Sequence, residues 1–119
     1  MTQEDKELLL KDLCARLPYG VKFKFVDNPN IFDLEYRIKF AAMYGDSDKL
    51  EDILDITNIK PYLFPLSSMT WKQEYQYREV IASSLNHYEV YDWLNKNHFD
   101  YRGLIERGLA LDATGKGVY

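Results

Sequence analysis

The sequence predicts an α+β fold, and three observations carry that expectation. Two segments alternate strictly between apolar and polar residues; others repeat apolar residues at helical spacing behind capping patterns; and 119 residues suffice for one domain with a single core. The expected layout is an N-terminal helix, then a small antiparallel sheet, then two helices packed on the sheet. The sheet would be a hairpin at about 21–26 and 32–43 with a third strand at about 50–57, and the helices would run at about 71–85 and 87–97.

Thr2, three residues before Asp5, opens the first helix with a capping box and early acidic residues. Leu9, Leu13 and Leu17 follow at helical spacing with Leu10 and Cys14 beside them, so Cys14 is expected as a small core residue. Pro18 and Gly20 in "LPYG" end the helix.

In "VKFKFV" and "FDLEYRIKF", Val21, Phe23 and Phe25, then Phe32, Leu34, Tyr36, Ile38 and Phe40, alternate with charged residues. That is the pattern of half-buried strands, and "DNPN" between them has turn chemistry. A register with Lys24 opposite Asp33 and Lys22 opposite Glu35 pairs the charges and puts the apolar sets on one face. "LEDILDI" fits a strand or a short helix; a third strand is preferred because a lone hairpin is marginal.

"IKPYLFPLSSMTW" reads as a rigid strand-to-helix corner, stiffened by Pro61 and Pro65, with Leu63 and Leu66 buried and Tyr62 displayed. Thr70 with Gln73 then caps a helix whose stripe is Trp71, Tyr75, Tyr77, Ile81, Ala82 and Leu85. Asn86 with Glu89 starts the last helix, with Val90, Tyr91, Trp93 and Leu94 as its stripe. "DYRGLIERGLALD" should fold back as turns and short pieces, and the last seven or so residues, "ATGKGVY", should fray.

Composition narrows the function classes. The net charge is −4, residues 46–60 alone contribute −3, and no segment is strongly basic, which demotes nucleic-acid binding. Its one plausible face is Lys22, Lys24, Arg37 and Lys39, and the outward strand positions are charged where a base-stacking sheet would carry aromatics. No apolar run approaches the ~20 residues of a membrane helix. An acidic start where a signal peptide would be basic, and one cysteine, point to the cytosol.

The blocks "LLLKDLCARLPYGVK", "IKPYLFPLSSMT" and "YDWLNKNHFDYRGLIERGLAL" resemble a family of small proteins encoded by phages and mobile elements of gut Bacteroidales. The resemblance covers both ends of the chain, whereas about Phe25 to Thr57 varies freely. The resemblance implies a phage or prophage setting in the cytoplasm of a bacterial host cell and no particular chemistry, so no functional residue carries over.

Candidate chemistry is sparse. "HFDYRG" gathers His98, Asp100, Tyr101 and Arg102: a base, an orienting carboxylate and an anion-binding guanidinium, and hence the best ligand-binding candidate. The competing structural reading is a helix end in which Asp100 and Arg102 pair locally and His98 is half-buried. No nucleophile pattern accompanies the cluster, so no catalytic residue is assigned. One cysteine and two separated histidines, His87 and His98, match no zinc spacing, "DSDKLED" lacks the calcium-loop order, and "GKG" follows no strand; no metal or cofactor is expected. Ten tyrosines, two tryptophans and six phenylalanines exceed what the apolar stripes absorb. Tyr44, Tyr62 and Tyr88, with Tyr119, are candidate interface anchors. The leading expectation is a non-enzymatic accessory protein contacting a partner protein or its own copies; a small-ligand or nucleotide binder is the alternative, and nucleic-acid binding a third.

Overall fold

The computed structural model describes residues 1–36, 58–84 and 87–119. Within them the fold is α+β: an N-terminal helix, a small mixed sheet and two C-terminal helices packed against it. Helix α1 is Gln3–Arg16, capped by the predicted box between Thr2 and Asp5. A 3-10 turn, Leu17–Tyr19, follows and exits through Gly20 at φ 71°, a conformation that glycine adopts without steric cost. The buried face of α1 is Leu9, Asp12, Leu13 and Arg16, so Cys14 lies exposed instead of in the core.

Strands β1 (Lys22–Phe25) and β2 (Ile31–Asp33) form the predicted antiparallel hairpin in a different register. Lys22 faces Asp33 and Lys24 faces Ile31, two residues from the charge-matched pairing. A shift of two keeps each side chain on its face, so the edge-to-face cluster of Phe23, Phe25 and Phe32 still forms. The second strand ends early: residues 34–36 are helical, and Leu34 is buried from there. The remainder of the strand expected to run to 43, and the third strand expected at 50–57, lie outside the described residues.

The centre of the sheet is β3, Ile59–Pro65, within the segment expected to be a corner. It pairs antiparallel with β1 and parallel with the two-residue strands β4 (Phe99–Asp100) and β5 (Leu111–Asp112). Two prolines survive in a central strand because successive residues address opposite edges. The Asn58 carbonyl accepts from Val26 N–H, and Phe64 N–H donates to the His98 carbonyl, so even-numbered residues meet β1 and β4. Pro61 and Pro65 therefore share the other edge with Leu63, where β5 reaches only Tyr62 and Leu63.

Both faces of β3 are covered. Ile59 and Leu63 join Leu9, Leu13, Val21, Phe23, Leu34 and Leu104 in the main core, and Tyr62 packs with Ala113 and Val118 behind it. Of the two leucines expected to be buried, Leu63 is fully so, whereas Leu66 stays 44% exposed. Tyr62, expected on display, is 7% exposed. The end of the chain, expected to fray, is tied down in this structure. Val118 is buried, and the Tyr119 hydroxyl accepts from Lys22 N–H and donates to the Tyr62 carbonyl, each at 2.8 Å. The phenol thus fills the ladder position between β1 and β4.

Helices α2 (Trp71–Ser83) and α3 (His87–Lys96) start and run as predicted to within two residues. Helix α3 lies against β4 and α1, and α2 leans on α3. Because α2 meets the body mainly through α3, only Gln73, Tyr77, Val80 and Ser84 on one narrow side are half-buried. No residue of α2 is buried, and most of the stripe expected to face the core points outward: Trp71 is 76% exposed, Tyr75 61% and Ile81 50%.

Candidate functional site

The four residues singled out around the end of α3 divide among three tasks. Asp100 is 8% exposed and accepts from the Leu104 and Ile105 N–H groups at 3.0 and 2.9 Å, so it caps the turn that follows β4. It does not pair with Arg102, as the local reading had it. His98 turns to the sheet, whereas Tyr101 and Arg102 turn to α1.

Tyr101 and Arg102 complete a polar cluster around two charges that the sequence reading passed over, Asp12 and Arg16, both fully buried. Arg16 Nε donates to Asp12 Oδ2 at 2.8 Å, and its Nη2 donates to the Phe99 carbonyl at 2.6 Å. Arg102 Nη1 donates to Asp12 Oδ1 and to the Tyr101 hydroxyl, each at 2.8 Å; that hydroxyl donates onward to Asn95 Oδ1 at 2.9 Å. The Tyr101 ring lies near both guanidinium carbons, 5.4 Å from that of Arg16 and 4.5 Å from that of Arg102. Two cations thus share one carboxylate, and Arg16 Nη1 is buried without a hydrogen-bond partner among the described residues. A sequence signal existed: Asp12 and Arg16 each follow a stripe leucine by three positions, which carries this i, i+4 pair onto the inward face.

Beside this cluster lies an open cleft of about 940 Å³ between α1, α2 and α3. Lys11, Ser84, His87, Asn95 and Arg102 supply its polar lining, Tyr77, Tyr91 and Tyr101 its aromatic one, and Leu94 and Val90 lie on its α3 side. No carboxylate lines it among the described residues, although the chain carries a net charge of −4. The Tyr91 and Tyr101 rings pack together at 5.1 Å between centroids. The volume and the mix of apolar wall with a few convergent polar groups are those of a small-molecule site.

His98 is not part of that cleft. It adopts φ 63°, uncommon for a residue other than glycine, and its ring stacks on Tyr119 at 3.8 Å and 11°. Its Nδ1 is buried without a hydrogen-bond partner among the described residues. Burial, reinforced by the charges of Arg16 and Lys22, pulls its pKa down to about 4, so the ring is neutral at pH 7. Tyr119 keeps 40% of its surface exposed, yet its enclosed hydroxyl end is pushed up to about 12, mainly by burial.

A pH dependence of stability follows. The unfolded chain protonates His98 near the ordinary value of 6.5, and the folded chain only near 4. Between those values the unfolded state binds more protons, so stability is complete above pH 6.5 and falls as the pH drops toward 4. Urea denaturation across this window should show the decline, and His98→Asn, which tolerates positive φ and does not titrate, should flatten it. A slope unchanged in that variant would assign the effect to other groups.

Of the candidate anchors, Tyr88 is 76% exposed, Tyr62 is buried and Tyr44 lies outside the described residues. Of the proposed nucleic-acid face, Lys22 and Lys24 are half-buried, and Arg37 and Lys39 lie outside the described residues. Among the described residues no helix is long and apolar enough to cross a membrane. Comparisons with protein-family models, curated proteins and solved structures find no match for this chain.

Proposed function

We propose that this protein is a non-enzymatic accessory protein that works through protein contacts, made by the outward face of α2 with a second copy of the chain. The observation that carries the reading is a helix with no buried residue that presents Trp71 and Tyr75 to solvent. Those residue types dominate the energetic centres of protein interfaces. His98 and Asp100, two of the best chemical candidates in the sequence, are taken up by stacking and internal hydrogen bonds, which favours a binding role over catalysis.

The face is self-complementary, which favours a twin copy as the occupant. Lys72 and Arg78 balance Glu74 and Glu79 along it, and two α2 helices packed antiparallel set Trp71 over Ala82 and Tyr75 over Arg78. Arg78 is held to Glu74 at 2.8 Å, but both side chains are more than half exposed, so that pair is weak and can be rearranged. The phage or prophage setting rests on the resemblance of the three sequence blocks, and a cytoplasmic location on the single cysteine.

Light scattering across a concentration series should give twice the 14.1 kDa chain mass. Trp71→Ala with Tyr75→Ala, at positions exposed enough to leave folding intact, should weaken self-association at least about tenfold. A wild-type chain that stays monomeric at every concentration would count against the reading.

A further inference from the structure

We infer that the cleft between α1, α2 and α3 binds a small anion carrying a flat aromatic ring, its charged group at Arg102 and Lys11 and its ring against the tyrosines. This rests on the cleft, not on the outward face of α2, and stands whether or not the chain dimerises.

The charge argument is local. Lys11 and Arg102 line the cleft with no carboxylate among the described lining residues, and behind them Asp12 is outnumbered by Arg16 and Arg102. An anion therefore meets a net positive site on a chain that is acidic overall. Arg102 is only 15% exposed and is braced by Asp12 and Tyr101, so its guanidinium is held in place before a ligand arrives. It spends Nη1 on those two partners, and a guanidinium carries three further N–H groups on its other nitrogens, which suit a carboxylate or phosphate.

The ring argument comes from the walls. Tyr91 and Tyr101 pack together in the cleft wall, and Tyr77 of α2 also lines it, its ring 5.6 Å from that of Trp93. An aliphatic anion would gain little from this aromatic wall, and an uncharged ring would leave the cations unanswered. The cleft volume exceeds that of a single ring system, so a mononucleotide fits as readily as an aromatic carboxylate. The shared chemistry is one anionic group and one flat ring.

Calorimetric titration of the full chain with four probes separates these sources. They are adenosine 5′-monophosphate, indole-3-acetate, adenosine and inorganic phosphate. Binding of the first two with neither control is the expected result. Binding of only one of the first two names the mononucleotide or the aromatic carboxylate as the source. Lys11→Glu, at an exposed position, should weaken the bound probe about tenfold while leaving thermal unfolding of the free protein unchanged. Arg102→Lys, which keeps the charge for Asp12 but loses the fork, should weaken it as well. No binding of either charged ring at millimolar concentration, adenosine binding as tightly as its monophosphate, or an unchanged affinity in Lys11→Glu would overturn the assignment.

Discussion

Asp12→Ala is expected to lower the unfolding free energy by about 3–5 kcal/mol, the cost of leaving a buried charge without its partner. Asp12 and Arg16 are both fully buried and meet at 2.8 Å, so removing the carboxylate strands in the interior an Arg16 whose Nη1 already has no partner among the described residues. Arg102 loses its anchor too, but at 15% exposure it can turn toward water. Asp12→Asn keeps an acceptor and should cost less. The double variant Asp12→Leu with Arg16→Met removes both buried charges and should recover much of the loss, because an apolar pair of similar volume needs no desolvation of ions. Urea denaturation with an unchanged m-value is the measurement. A loss below about 1 kcal/mol for Asp12→Ala, the range of exposed ion pairs, would show that the cluster is solvated in solution.

The same residues show where sequence reasoning reached and where it stopped. Local rules carried the caps at Thr2 and Thr70, the β1–β2 hairpin and both C-terminal helices, because capping and periodicity are written within a few neighbouring residues. The central strand escaped. Pro61 and Pro65 argue against a sheet interior until one knows that both address an edge where β5 is only two residues long. That is a property of the partner strand, not of "KPYLFP" itself. The outward turn of Trp71 and Tyr75 escaped for a related reason: apolar periodicity finds a stripe, but what covers it is decided by distant segments. The candidate site was half legible. Tyr101 and Arg102 were singled out for their chemistry, but their partners Asp12 and Asn95 stand 90 and 6 residues away, joined only by packing. His98 was drawn off by Tyr119, a residue assigned to a fraying tail.

Phe99→Ala is expected to cost about 3–5 kcal/mol as well, through lost packing instead of stranded charge. Phe99 is 1% exposed, and its ring stacks on Trp93 of α3 at 5.7 Å and 14° and meets Phe64 of β3 at 6.1 Å. Trp93 in turn touches Tyr77 of α2, and Phe64 touches Tyr119, so one run of rings joins both C-terminal helices to the sheet. Truncating its middle member opens a cavity where α3 meets β4 and removes two ring contacts, each worth about 0.5–1.5 kcal/mol beyond area burial. The effect has a built-in reporter. Trp71 is already 76% exposed, so a red shift in tryptophan emission from the folded variant would come from Trp93 as water reaches it. Phe99→Leu preserves most of the volume and should cost less than half as much. The Arg16 bond to the Phe99 carbonyl is a backbone contact and survives both substitutions, which separates this loss from that of Asp12→Ala. Combined, Asp12→Ala and Phe99→Ala should be additive to within about 0.5 kcal/mol, because the Phe99 side chain takes no part in the ion cluster. A clear shortfall from additivity would show that Arg16 couples the ion cluster to β4, and unchanged emission in Phe99→Ala would show that Trp93 stays shielded without the Phe99 ring.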